Sequence, residues 1–232
     1  MKDRYIRQTV LPEIGEEGQL KLHNAKVLIV GVGGLGSPTA LYLTAAGIGT
    51  LGLVDDDVVS ISNLQRQVLY TEAEVDQRKV GCAARRLKAL NSEVTIHEYP
   101  FRLTRENAGE LVGGYDLVID GCDNFATRYL LNDACLAAGK PYVYGAIKGF
   151  EGQVSVFGAG AVPRSYRDLF PEDMVVQPVD IRDKGVLGTT PAVVGSMLAT
   201  QAIALIVGFG EPLIGKLWTM DLRTMQTATI EY

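Results

Sequence analysis

The run Val27-Leu28-Ile29-Val30-Gly31-Val32-Gly33-Gly34-Leu35-Gly36 decides the fold. A buried apolar strand leads into glycines spaced G-x-G-x-x-G at Gly31, Gly33 and Gly36. Residues 37–46 have the composition of a helix, and Thr50-Leu51-Gly52-Leu53-Val54 reads as a second strand ending at Asp55. Together they make a βαβ unit whose glycines let a phosphate approach the backbone at a helix N-terminus. Asp55 stands at the spacing where a carboxylate can accept a ribose hydroxyl. Glycines alone would satisfy any tight strand-to-helix turn; strand, glycines, helix and terminal acid in that order point to a nucleotide.

Working outward, the stretches 94–97, 116–120 and 141–144 read as further strands, separated by helical patterns at 80–90, 107–112 and 125–139. Alternating strands and helices predict a Rossmann-like, doubly wound, mostly parallel α/β sheet. Gly152 to Phe157 alternates apolar and polar and reads as an antiparallel strand. Two more strands, 217–221 and 226–232, make an antiparallel C-terminal extension. One domain over 1–232 is expected: a helical lead-in (1–24), a nucleotide-binding core (25–157), an irregular crossover region punctuated by Gly and Pro (158–190), and a helix and hairpin (191–232). Pro12 and Gly15 split the lead-in into at least two helical pieces.

Composition narrows the partners. The formal net charge of −5 is spread without a basic stripe, which excludes nucleic acid as the main partner. Three cysteines, Cys82, Cys122 and Cys135, form no C-x-x-C pair and fit a reducing, cytoplasmic setting. The uncharged run 191–210 is about as long as a membrane span, but it holds Gly195, Ser196, Thr200, Gln201 and Gly208 and has no aromatic or basic flanks. It reads as a buried helix, and no membrane is expected.

The polar candidates are Asp55, Asn63, Arg66, Lys79 and Asp123, each just after a strand or at a helix start. Lys79 opens a helix, where a cation opposes the macrodipole unless an anion meets it. Two cations, an amide and an acid exceed what a dinucleotide pocket needs. They suit a triphosphate, with Arg66 and Lys79 neutralising oxygens and Asp123 holding Mg²⁺. Such neutralisation is what lets a carboxylate approach an anionic α-phosphate. Spacing alone leaves an NAD-dependent oxidoreductase open.

Several spaced motifs carry a resemblance. Arg4-Tyr5-Ile6-Arg7-Gln8, the Gly31–Gly36 turn, Asp55, Asn63-Leu64-Gln65-Arg66-Gln67, Lys79 and Asp120-Gly121-Cys122-Asp123-Asn124 resemble the ThiF/MoeB adenylyltransferases, bacterial relatives of ubiquitin-activating enzymes. The resemblance implies ATP and Mg²⁺ as cofactors. The implied activity is adenylation of the C-terminal glycine of a ubiquitin-like sulfur-carrier protein, with release of pyrophosphate, ahead of thiocarboxylate formation for thiamin (preferred) or molybdopterin. By matching position it makes Gly31, Gly33, Gly34, Gly36, Asp55, Asn63, Arg66 and Lys79 nucleotide-binding and Asp123 the Mg²⁺ ligand. Arg7, Arg66, Lys79 and Asp123 become catalytic, with Arg7 reaching into the neighbouring subunit's site of a homodimer.

The chain also departs from that family. Many members hold zinc on two C-x-x-C pairs, whereas the first position here reads Ser165-Tyr166-Arg167-Asp168, so no zinc site is expected. The crossover stretch Val179-Asp180-Ile181-Arg182-Asp183-Lys184-Gly185-Val186 has no thiol, which argues against a covalent carrier intermediate there. No sulfur-transfer domain is read in the sequence, so a separate sulfur donor protein is expected. A non-catalytic ATP-binding scaffold of the same superfamily is the other alternative.

Overall fold

The computed structural model describes residues 4–174 and 185–232. Eight strands form one sheet in the order β3-β2-β1-β4-β5-β6-β7-β8. The parallel part comprises β1 (Lys26–Val30), β2 (Thr50–Val54), β3 (Thr95–Tyr99), β4 (Leu117–Asp120) and β5 (Tyr142–Lys148). Antiparallel strands β6 (Glu151–Phe157), β7 (Lys216–Asp221) and β8 (Gln226–Glu231) extend it, as the alternating pattern of the C-terminal half requires.

The two faces of the sheet carry separate cores because successive strand residues point to opposite sides. Val27 and Ile29 of β1 join one apolar cluster; Leu28 and Val30 join the other. On the first face lie α2 (Gly15–Asn24), α3 (Gly36–Ala46), α4 (Lys79–Leu90) and α8 (Thr189–Val207). The second face carries α5 (Arg105–Gly113), α6 (Phe125–Ala138) and the short α7 (Tyr166–Leu169). The lead-in is split as expected, with α1 (Ile6–Thr9) preceding α2. The uncharged run is α8: Val194, Leu198 and Ala202 are fully buried, and it packs on α3, β5 and β6 as a core helix.

Two differences from the sequence-based expectation have physical causes. Strand β5 continues past Tyr144 to Lys148, because Gly145 and Ala146 pair with Val154 and Gln153 and need no bulky side chain to do so. The irregular region contains α7, opened by a capping box in which Ser165 and Asp168 exchange hydrogen bonds. Most of the crossover stretch, 179–184, lies outside the described residues.

Strand order reverses between β1 and β4, and the crevice beyond their carboxyl ends is where open α/β sheets bind ligands. Here the two turns touch. A Cβ on Gly31 (φ +90°) would sit 2.5 Å from the Gly121 carbonyl oxygen. A Cβ on Gly121 would sit 2.0 Å from the carbonyl oxygen of Gly31. Backbone therefore packs on backbone, and the Gly-rich turn is set in register with the loop that carries Asp123.

Candidate active site

A cleft of about 1190 Å³ opens at this switch point. Gly31, Gly33, Gly34, Asp55, Arg66, Lys79 and Asp123 line it together, although they come from five separate places in the chain. Of the expected nucleotide-site residues, Gly36 and Asn63 are not in its lining. Gly36 is the first residue of α3, where a Cβ would meet the Gly31 carbonyl oxygen at 2.1 Å; its glycine is demanded by packing. The Asn63 side-chain oxygen accepts from the Ser60 backbone N–H at 3.2 Å and closes a 3₁₀ turn that presents Arg66.

Gly33 and Gly34 are different. A Cβ on Gly34 would make ordinary contacts with Pro191 Cβ at 3.4 Å and Arg66 Cδ at 3.6 Å, and one on Gly33 would meet Gln67 Nε2 at 3.5 Å. The fold tolerates a side chain at both. Their bareness matters on the cleft side, where it leaves backbone N–H groups open at the start of α3, a cradle suited to phosphate oxygens.

Asp55 is held at the end of β2. Its Oδ2 accepts from the Val32 N–H at 2.8 Å and its Oδ1 from the Asp57 N–H at 3.0 Å. Burial pushes its pKa up, opposed by the Lys79 charge and by these two backbone donors. The Lys79 ammonium, almost wholly buried, pairs with Asp57 Oδ2 at 2.9 Å. Arg66 Nη1 donates to the Ser62 carbonyl at 3.1 Å, and its stem crosses Gly34.

Asp123 is exposed in the cleft between two anchored neighbours. Among the described residues neither Asp123 nor Arg66 forms an ion pair. An exposed carboxylate held only by a long hydrogen bond from Asn124 Nδ2 (3.4 Å), facing the same cleft as two cations, suits one protein ligand of a Mg²⁺ ion whose other ligands are phosphate oxygens and waters. Beneath it, Asp120, Arg128 and Tyr142 form a buried polar group, with an edge of Arg128 reaching the cleft wall. Cys122, although in the lining, is closed in: its Sγ lies 3.3 Å from the Val30 carbonyl oxygen, and burial first, then Asp120, pushes its pKa well up. It is no nucleophile. Cys82 and Cys135 are core residues.

Arg7 is elsewhere. It lines a separate surface hollow with Gln8, Leu11, Ile14, Thr200, Ile203 and Phe209. Sequence reasoning did not single out Asp57, Arg128, Tyr144 or Gln153 as lining residues. A signal existed for Arg128, which follows the helix cap Asn124 by one turn, so that its side chain leans back over the loop.

The chain matches the ThiF family over residues 5–232. It is 50% identical over 224 residues to the sulfur carrier protein adenylyltransferase of Thermus thermophilus, a match covering 94% of this chain and 83% of that protein. It is 48% identical over 231 residues to the probable adenylyltransferase/sulfurtransferase MoeZ of Mycobacterium tuberculosis. That match covers 98% of this chain and 59% of MoeZ, so the chain spans less than two thirds of this relative. Among solved structures, Escherichia coli MccB with MccA-N7isoASN superposes with a TM-score of 0.86 at 24% identity, covering 99% of this chain and 72% of that one. This last likeness is one of fold. Glycine cradle, two cations and the exposed Asp123 thus sit in a chain that matches one family over nearly its whole length: the chain belongs to the ThiF family.

Proposed function

We propose that the chain uses ATP to adenylate the C-terminal carboxylate of a small sulfur-carrier protein. The observation that carries this is the meeting of bare Gly33 and Gly34, the cations Arg66 and Lys79, and the unpaired Asp123 in one cleft. An NAD-dependent oxidoreductase has no use for the last three. In this reading the phosphates lie on the turn before α3 and Asp55 takes the ribose. The carrier carboxylate oxygen attacks the α-phosphorus, an O–P bond forms, and the bond to the pyrophosphate oxygen breaks. Arg66 and Lys79 reduce the repulsion between the two anions and stabilise the departing charge. Asp123 would hold Mg²⁺ against the phosphates, which supplies further charge neutralisation.

Arg7, remote from this protomer's cleft, would serve the site of a second copy, with the hollow around Leu11, Ile203 and Phe209 covered in a homodimer. An arginine delivered in trans adds charge where the transition state develops it. Sulfur would come from a separate donor protein, and the reaction would take place in the cytoplasm. The relatives give the thiamin branch no preference: the MoeZ relative points to the molybdopterin side, so a molybdopterin-type carrier is the substrate proposed.

ATP–pyrophosphate exchange tests the assignment, with molybdopterin-type and thiamin-type carriers supplied separately. Exchange that depends on the molybdopterin-type carrier and is lost in Arg66→Ala and Asp123→Ala is expected. Full exchange in both variants would overturn the site. ATP binding without exchange for any carrier would favour the scaffold reading.

A further inference from the structure

The acid proposed to meet the divalent cation is exposed, yet the chain on both sides of it is tied down by buried groups. Cys122, which precedes it, is held at both ends of its backbone. Its N–H donates to Asp120 Oδ1 at 2.8 Å, and its carbonyl oxygen accepts from Arg128 Nη2 at 2.9 Å. Asn124, which follows, caps α6: its Oδ1 accepts from the Thr127 N–H at 2.9 Å and from Thr127 Oγ1 at 2.9 Å. Asp123 lies between these two fixed residues, and its carboxylate has only a long hydrogen bond, from Asn124 Nδ2 to Oδ1 at 3.4 Å.

The same guanidinium closes the network. Arg128 Nε donates to Asp120 Oδ2 at 3.1 Å, and the Tyr142 hydroxyl donates to that oxygen at 2.8 Å. Asp120 is completely buried, and Arg128 is nearly so. The guanidinium also stands 5.6 Å from the Phe125 ring centroid and 5.7 Å from that of Tyr144, which restrict its plane. A buried ion pair is weak evidence for stability, because desolvation offsets the attraction. Its planar fork, however, fixes direction. Here the fork holds the carbonyl of the peptide unit from which Asp123 departs.

We propose that Arg128, seated on Asp120, is a positioning residue that sets the aim of the Asp123 carboxylate toward the nucleotide-bound divalent cation. The inference rests on the assignment of Asp123 given above. It follows that a lysine at 128, which keeps the charge but has no fork, releases the Cys122 carbonyl and lets the acid wander. Nucleotide contacts made by the Gly-rich turn, Arg66 and Lys79 do not depend on this link.

The test is Mn²⁺ binding followed by electron paramagnetic resonance in the presence of a nonhydrolysable ATP analogue. Binding of the analogue without divalent cation is measured separately, and Arg128→Lys, Tyr142→Phe and Asp123→Asn are compared with the wild type. Arg128→Lys is expected to weaken Mn²⁺ binding about tenfold, the scale of losses when a group orienting a metal ligand is changed. Metal-free binding of the analogue should stay within about twofold, since the retained charge leaves the phosphate cradle intact. Tyr142→Phe keeps the ion pair, removes one bond to Asp120, and should weaken Mn²⁺ binding about threefold. Wild-type Mn²⁺ affinity in Arg128→Lys, with Asp123→Asn weakened, would overturn the positioning role alone. Unchanged affinity in Asp123→Asn would overturn the assignment of the acid, and the proposal with it. Should Arg128→Lys fail to fold, Tyr142→Phe decides: unchanged Mn²⁺ affinity there would overturn the link.

Discussion

Lys79 and Asp57 are joined twice: the Lys79 ammonium lies 2.9 Å from Asp57 Oδ2, and the Lys79 backbone N–H donates to the Asp57 carbonyl at 3.1 Å. A buried cation at the first position of α4 opposes the helix macrodipole, so Asp57 supplies the counter-charge that keeps it there. The Lys79 side chain is 6% exposed and that of Asp57 is 70% exposed. Removing the lysine therefore leaves Asp57 solvated, and the half-buried Asp55, which also loses the nearby positive charge, keeps its two backbone donors.

Lys79→Met follows from that asymmetry. Stability measured by chemical denaturation should change by no more than about 1 kcal/mol, because the partner left behind is solvated. Carrier-dependent pyrophosphate exchange should fall about 100-fold, the scale for loss of a preorganised charge at a developing anion. A protein that loses stability and activity in parallel would instead make Lys79 a structural residue.

The glycines of the turn should separate by substitution. Gly34→Ala places its Cβ in ordinary contact with Pro191 and Arg66, so it should fold with near-native stability and bind ATP at least about tenfold more weakly. Gly36→Ala drives a Cβ to 2.1 Å from the Gly31 carbonyl oxygen and should cost about 2 kcal/mol or more of stability. Thermal melts and calorimetric titration with ATP would show both. Equal loss of stability in the two variants would contradict the distinction.

Acid should weaken nucleotide binding through Asp55. Its burial raises the folded-state pKa above the ordinary value of 3.8. It favours the folded protein below the unfolded pKa, and that contribution is lost as pH rises through the folded pKa. Conversely, the carboxylate needed as a ribose acceptor is lost as pH falls through the raised value. The ratio of wild-type to Asp55→Asn affinity for ATP, which cancels the titration of ATP itself, should therefore decline on acidification with a midpoint above 3.8. A ratio that does not vary with pH would remove Asp55 from the ribose.

The segment after β6 is held by protein groups. Asn132, 1% exposed, accepts at Oδ1 from the Tyr166 N–H at 2.7 Å and from Ser165 Oγ at 3.2 Å. Arg167 bridges Asp133 and Glu172, and the Tyr166 ring packs against Phe157 and Phe170. Asn132→Ala should cost about 2 kcal/mol, because it orphans a buried N–H. Incubation with a strong chelator should leave the melting temperature unchanged. A chelator-induced drop would show that a metal holds this segment after all.

The middle of the sheet was legible because β1, β2 and β4 are short, apolar and bounded by glycine or acid. Val27–Val30, Thr50–Val54 and Leu117–Asp120 could be placed to within a residue. The small residues Gly145 and Ala146 hid the second half of β5, since strand pairing there rests on backbone bonds and not on side-chain pattern. The four-residue α7 is too short for any period to show. Candidate residues adjoining strand ends were legible for the same reason as the strands. Arg128 and Asp57 were not, because each acts through a partner brought near only by folding: Asp120 across the turn before α6, and Lys79 at a separation of 22 residues.

Adenylation of a carrier leaves one product that can be weighed directly. Incubating the chain with ATP, Mg²⁺ and a molybdopterin-type carrier, with no sulfur donor present, and reading the intact carrier by mass spectrometry would detect it. The expected product is a carrier bearing one adenylyl group, formed only when its terminal glycine carboxylate is free and absent with the Asp123→Ala enzyme. An unmodified carrier, under conditions where the same preparation binds ATP, would contradict the proposed function.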